Sequence, residues 1–219
     1  FIEMDANKST NQYIAFDDLI EEGRKIYESG DDSYMKIDID KREFRILLFT
    51  SGTTSSAKGV MLCHENITSN VVAASDILKL KSSDRFLSIL PMHHTYELSG
   101  TYIFPLWHGC SIAICEGLKY IAKDMELSKP TAIMVVPLIL EKLDRKITRA
   151  LKEQKKDKLI NTMIRFTNIL KKYKINIKRL VFKPIYNKVG GKLHYLFCGA
   201  APIDKNLAQR FEDLGFCFL

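Results

Sequence analysis

Apolar residues recur along the chain in two rhythms. In "FDDLIEEGRKIYESG" they stand at positions 16, 19, 20, 26 and 27, a helical spacing, with Gly30 placed to end the helix. Elsewhere they form short unbroken runs: "RILLFT" (45–50), "RFLSIL" (85–90), "SIAIC" (111–115), "TAIMVV" (131–136) and "LHYLFC" (193–198). Runs of this length and kind predict strands buried on both faces. Helical patterns lie between them, from about Glu65 to Leu78, near 118–127, from Pro137 onward, and over 204–214, which Asp204 can cap and Gly215 can end. Strands alternating with helices predict an α/β protein of mostly parallel sheets covered by helices.

Composition adds bounds to this pattern. With 219 residues, 46% hydrophobic and 27% charged, the chain can bury a sizeable core. Its apolar runs fall short of the roughly 18 residues of a membrane-spanning helix, and no basic-then-apolar leader opens it, so a soluble cytoplasmic protein is expected. The five cysteines contain no CxxC pair and sit mostly in strand-like runs, as reduced core thiols do. The start at Phe1 and the end within "GFCFL" predict an internal fragment, cut at both ends.

Charge is unevenly spread. Residues 142–192 hold 17 Lys or Arg against 3 acidic residues, a net +14, so the rest of the chain is net −7 within an overall +7. That asymmetry argues against a nucleic-acid binder, whose basicity would not be confined to one segment. Apolar residues such as Leu151, Ile160 and Ile164 recur there at helical intervals, as on a solvated amphipathic helix. A sharper reading is attraction to an anionic membrane surface or to the phosphates of a ligand.

The candidate chemistry begins where "LLFTSGTTSSAKGVM" (47–61) breaks from apolar to small hydroxyl residues, read as a loop at a strand-to-helix turn. The hydroxyls of Thr50, Ser51, Thr53, Thr54, Ser55 and Ser56 can donate to phosphate oxygens. Gly52 and Gly59 let the backbone approach, and Lys58 supplies a positive charge. The Walker A pattern fails twice, because Ala57 precedes the lysine and Gly59 follows it, which disfavours a P-loop kinase or NTPase. A plain Ser/Thr-rich surface loop is the bland alternative. His93, His94 and Glu97 could suggest a metal site, since a His and a Glu four apart can share a helix face, but no third ligand stands at typical spacing.

The longer string "LLFTSGTTSSAKGVMLCHENI" resembles the nucleotide-binding signature of the adenylate-forming superfamily, T-S-G-T-T-G-x-P-K-G-V followed by His-x-Asn. Thr50 to Thr54, Lys58, Gly59, Val60, His64 and Asn66 match; Ser55 and Ala57 stand where the family usually has Gly and Pro. "LSILPMHHTYELSG" resembles its second core motif with His94 at the matching place, "KPTAIMVVPLILEKL" its Lys-Pro-Thr strand and Val-Pro helix start, and "LHYLFCGAAPIDKNLAQRFEDLG" its adenine-contacting strand and turn. The "HHTYE" string and the basic insert look most like bacterial long-chain fatty-acid-CoA ligases.

The resemblance implies a fragment, 1–219, of the large N-terminal domain, with a basic, largely helical insert at about 142–192 and without the small C-terminal domain. It implies a ligase that activates a medium- or long-chain fatty acid with ATP and transfers the acyl group to CoA. Under it Thr50, Ser51, Gly52, Thr53, Thr54, Ser55 and Lys58 hold the β- and γ-phosphates, and Gly199, Ala200, Ala201 and Pro202 lie along adenine. His94, the expected catalytic position, lines the junction of acyl and nucleotide pockets. Mg2+ would be held mainly by a glutamate beyond this chain, so the fragment alone is expected to be inactive. A non-catalytic nucleotide- or acyl-binding protein on the same fold is the alternative.

Overall fold

The computed structural model of the protein describes residues 1–50, 58–153 and 157–219. The chain divides into two compact units, Phe1–His64 and Glu65–Leu219.

In the first unit, β1 (Ile2–Glu3) pairs in parallel with β2 (Ile14–Ala15), which leads into α1 (Phe16–Glu28). Gly30, at φ 79°, follows the end of α1, as its position predicts. β3 (Phe44–Thr50) is the expected apolar run, but its partner is a surprise. β4 (Lys58–Cys63) returns antiparallel to it in the register Thr50↔Lys58, so the hydroxyl-rich segment, which falls outside the described residues, is flanked by two strands and not by a strand and a helix. The reason lies in the apolar run after the lysine: Val60, Met61 and Leu62 stand opposite Leu48, Leu47 and Ile46. α2 (His64–Ile77) starts only after that pairing ends.

The second unit is built on one parallel sheet. β5 (Arg85–Ser88) leads through a bend into a continuous helix of three parts: α3 (Thr95–Glu97), a π-helical stretch (Leu98–Ile103) and α4 (Phe104–Trp107). Then follow β6 (Ser111–Ile114), α5 (Ile121–Ser128), β7 (Ala132–Val135), α6 (Pro137–Glu153) and α7 (Asp157–Lys172). Short helices α8 (Lys178–Val181) and α9 (Lys183–Asn187) precede β8 (Tyr195–Cys198), α10 (Lys205–Leu214) and β9 (Cys217–Phe218). The strand order is β6-β5-β7-β8-β9, all parallel.

Side chains alternate across this sheet, and each face buries its own core. Leu87, Ile133, Val135 and Leu196 face α6, α9 and α10. Phe86, Ala132, Met134 and Phe197 face Val71 of α2 and Phe104. Phe86 stacks on Phe197 at 6.2 Å and meets Phe104 edge-on at 6.5 Å.

Local chemistry sets the ends of α10. The Asp204 carboxylate accepts from the amides of Asn206 (2.8 Å) and Leu207 (3.0 Å), two of the donors that a helix start leaves free. At the other end Gly215 adopts φ 98°, and the Phe216 amide donates to the Phe211 carbonyl at 3.1 Å, the pairing of a Schellman turn. The described part of residues 142–192 runs through α6 to α9, and its described Lys and Arg side chains are exposed with one exception. Lys178 is buried and donates its Nζ to the Glu212 carbonyl at 3.0 Å, at the carbonyl-rich end of α10.

Candidate active site

In an open parallel sheet, ligands bind outside the carboxyl ends of the strands, where the chain's connections diverge to opposite sides. Here that point lies between β5 and β7, because β5 connects to β6 on one side while β6 connects to β7 on the other. The segments after β5 and β8 both carry sequence-predicted site residues: His94 follows β5, and Gly199 to Pro202 follow β8.

The β5 segment is held by one buried carboxylate. Glu97 is fully buried and accepts hydrogen bonds from Ser88 Oγ (2.7 Å), the Ile89 amide (3.1 Å) and Thr101 Oγ1 (3.0 Å). The Ser88 hydroxyl also meets the Tyr102 hydroxyl at 2.9 Å. The carboxylate therefore ties the last residues of the strand to the start of the helix, and the loop Pro91–His94 is closed between them. Burial raises the Glu97 carboxyl above its ordinary value, and the hydrogen bonds from Ser88, Thr101 and the Leu90 and Ile89 amides act against that rise. Glu97 is thus a buried tie, not the metal ligand its spacing allowed. Among the described residues no group of three or more His, Cys, Asp or Glu side chains converges.

His94 stands exposed just before α3, its amide donating to the Pro91 carbonyl (3.1 Å) and its carbonyl accepting from the Leu98 amide (2.9 Å). Its ring lies 4.4 Å from that of His93. Two residues on, Tyr96 makes the link that sequence reasoning missed. Its ring packs directly against Gly199, where an added Cβ would lie 2.8 Å from Cε2 and 2.9 Å from Cζ. Burial, with smaller contributions from Cys198 and Glu97, lifts the phenol well above its ordinary range, so the hydroxyl stays protonated.

The turn after β8 is itself constrained. The Gly199 amide donates to the Val135 carbonyl at 3.2 Å, fastening the turn to β7. Ala200 adopts φ 66°, a left-handed backbone that costs a residue with a Cβ about 1–2 kcal/mol. Ala200, Ala201 and Pro202 are exposed at the sheet's edge.

In the first unit, Thr50 and Lys58 form the last register pair of the β3–β4 hairpin, and Thr50 Oγ1 donates to the Lys58 carbonyl at 3.5 Å. Both residues are exposed. Ser51, Gly52, Thr53, Thr54, Ser55, Ser56 and Ala57 lie outside the described residues.

The family model described as "AMP-binding enzyme" matches residues 3–219. The chain belongs to the AMP-binding enzyme family. Among curated AMP-binding relatives, it is 31% identical over 182 residues to the peroxisomal long chain acyl-CoA synthetase 6 of Arabidopsis thaliana, covering 78% of this chain and 25% of that protein. It is 32% identical over 189 residues to long-chain-fatty-acid--CoA ligase 5 of Mus musculus, covering 81% and 27%. The chain thus spans about a quarter of the length of these relatives.

Solved structures share the AMP-binding fold. The inhibitor-bound N-terminal domain of FACL13 from Mycobacterium tuberculosis superposes with a TM-score of 0.60 at 19% identity, covering 94% of this chain and 42% of that one. ATP-bound MatB from Rhodopseudomonas palustris gives 0.54 at 21% identity, covering 80% and 28%. This confirms the α/β architecture of parallel strands flanked by helices.

Proposed function

We propose that this chain carries the nucleotide-handling part of an AMP-forming acid–thiol ligase acting on medium- or long-chain fatty acids. The observation that supports it best is the packing of Tyr96 on Gly199, which joins the His94 segment and the Gly199–Pro202 turn at the carboxyl edge of one parallel sheet in an AMP-binding family member. In this reading a fatty-acid carboxylate oxygen attacks the α-phosphorus of ATP. The bond to pyrophosphate breaks, and acyl-AMP forms. The thiolate of CoA then attacks the acyl carbonyl carbon, AMP leaves, and a thioester results.

The chain's own part is positioning and charge neutralisation. Thr50 and Lys58, with Ser51, Gly52, Thr53, Thr54 and Ser55 between them, hold the β- and γ-phosphates. Lys58 acts as a point charge on oxygens that gain charge as pyrophosphate departs. Gly199, Ala200, Ala201 and Pro202 receive adenine, since a flat base stacks only where no large side chain intervenes. His94 lines the junction where acyl and phosphate groups meet. Mg2+ takes oxygen ligands and retains water, so nucleotide phosphates supply much of its shell; the described residues offer no cage for it, and it enters no step here.

No helix among the described residues is long and apolar enough to cross a membrane. The net +14 of residues 142–192 supports a peripheral contact with anionic lipid at the cytoplasmic face. Sedimentation with acidic vesicles checks this contact; no binding at low salt discards it. The ligase reading is tested by AMP release from the purified protein with ATP, CoA and a panel of carboxylic acids. Fatty-acid-dependent AMP release is expected from the full-length protein, and its failure there overturns the reading.

A further inference from the structure

On the sheet face opposite Tyr96 and Phe104, residues of β7, α5 and α6 enclose a cavity of about 180 Å3. Buried Ile133 and Met125 line its inner part, and Ile89, Ile121, Ile139 and Leu143 its walls. The mouth is cationic. Lys142 and Lys146 stand one turn apart on α6, Lys119 comes from the turn before α5, and Lys188 follows α9. All four are exposed, no carboxylate lines the cavity, and none of the four is ion-paired among the described residues. Like charges one helical turn apart repel, and a bound anion between them relieves that repulsion.

An apolar interior with a ring of ammonium groups selects one kind of small molecule, a chain with an anionic head. We propose that this cavity binds a straight-chain fatty-acid anion, tail inward and carboxylate at the lysine rim, on the sheet face opposite Tyr96 and with no residue of the Gly199–Pro202 turn in its lining. At about 30 Å3 for each water-sized group, the cavity holds on the order of six such groups. A longer tail runs out over Leu118, which is 64% exposed at the mouth. The proposal does not depend on the ligase reading, because none of its residues belongs to the proposed nucleotide site.

Methyl-labelled isoleucine NMR on the purified protein, titrated with butanoate, hexanoate, octanoate and decanoate, tests it. Shifts are expected at Ile121, Ile133 and Ile139. The dissociation constant should fall about fourfold per methylene while the cavity fills, then level off. Ala122→Phe, which fills the cavity, should abolish these shifts. Because that variant risks misfolding, the surface double variant Lys142→Gln/Lys146→Gln provides a second test. It should weaken octanoate by about tenfold or more and leave octan-1-ol unchanged. Shifts confined to other residues, octanol binding as tightly as octanoate to the wild type, unaltered octanoate binding by the double variant, or no binding at all would each overturn the proposal.

Discussion

Gly199→Ala tests whether the two strand-end segments form one unit. The Gly199 backbone lies outside the left-handed region, so alanine meets no backbone penalty and only space decides the outcome. The new Cβ would sit 2.8 Å from Tyr96 Cε2, 2.9 Å from Cζ and 3.0 Å from the hydroxyl oxygen. Carbon atoms rest at about 3.5–4.0 Å, so the ring must retreat by roughly 0.7–1.2 Å. Overpacking of that kind costs about 1–3 kcal/mol. In a Tyr96→Ala background the obstacle is gone, and the same substitution should instead stabilise by about 0.4–1 kcal/mol, because alanine restricts the unfolded chain. Urea unfolding of the wild type, both single variants and the double variant therefore predicts a change of sign and a coupling of roughly 1–3 kcal/mol. If Gly199→Ala is equally destabilising in both backgrounds, within about 0.5 kcal/mol, the packing of Tyr96 on the turn is refuted.

Other consequences follow from the same region. Folding holds the Glu97 proton more tightly than the unfolded chain does, so the stability linked to this group is complete below its ordinary value of 4.5 and declines as pH rises through the raised folded value. Glu97→Gln should therefore gain on the wild type as pH increases, in urea midpoints taken on either side of that window; a constant difference would contradict the assignment. Glu97→Ala leaves the Ser88 and Thr101 hydroxyls and the Ile89 amide without their acceptor, and calorimetry should show a loss on the order of 2–4 kcal/mol. Asp204→Ala removes the cap of α10 and should cost about 1 kcal/mol in a thermal melt followed by circular dichroism.

The parallel sheet was legible because β5, β7 and β8 lie in apolar runs that the sheet buries on both faces, whereas β6, at the sheet's edge, leaves Ile114 70% exposed. Both ends of α10 were legible because Asp204 and Gly215 act locally. β4 was not, since Lys58–Cys63 declares itself a strand only through its register with β3. β3 itself is less buried than its apolar run predicts, with Phe49 70% exposed, because a two-stranded hairpin covers little of either face. The role of Glu97 was hidden for a related reason: spacing within "HHTYE" suggested a helix face, whereas the bend after Ser88 brings the strand end back onto the carboxylate. Tyr96 and Gly199 are far apart in sequence, and only the pairing of β5 and β8 with β7 brings them together.

The proposed roles of the Thr50–Lys58 segment and of the turn after β8 can be tested as the affinities of ATP and AMP for the wild type, Lys58→Met and Gly199→Ala by isothermal titration. Lys58→Met should weaken ATP by about 10- to 100-fold, the worth of a charged hydrogen bond, and leave AMP unchanged, while Gly199→Ala should weaken both nucleotides. Equal ATP binding by the wild type and Lys58→Met, or an equal loss of AMP, would contradict the assignment of the triphosphate to the Thr50–Lys58 hairpin.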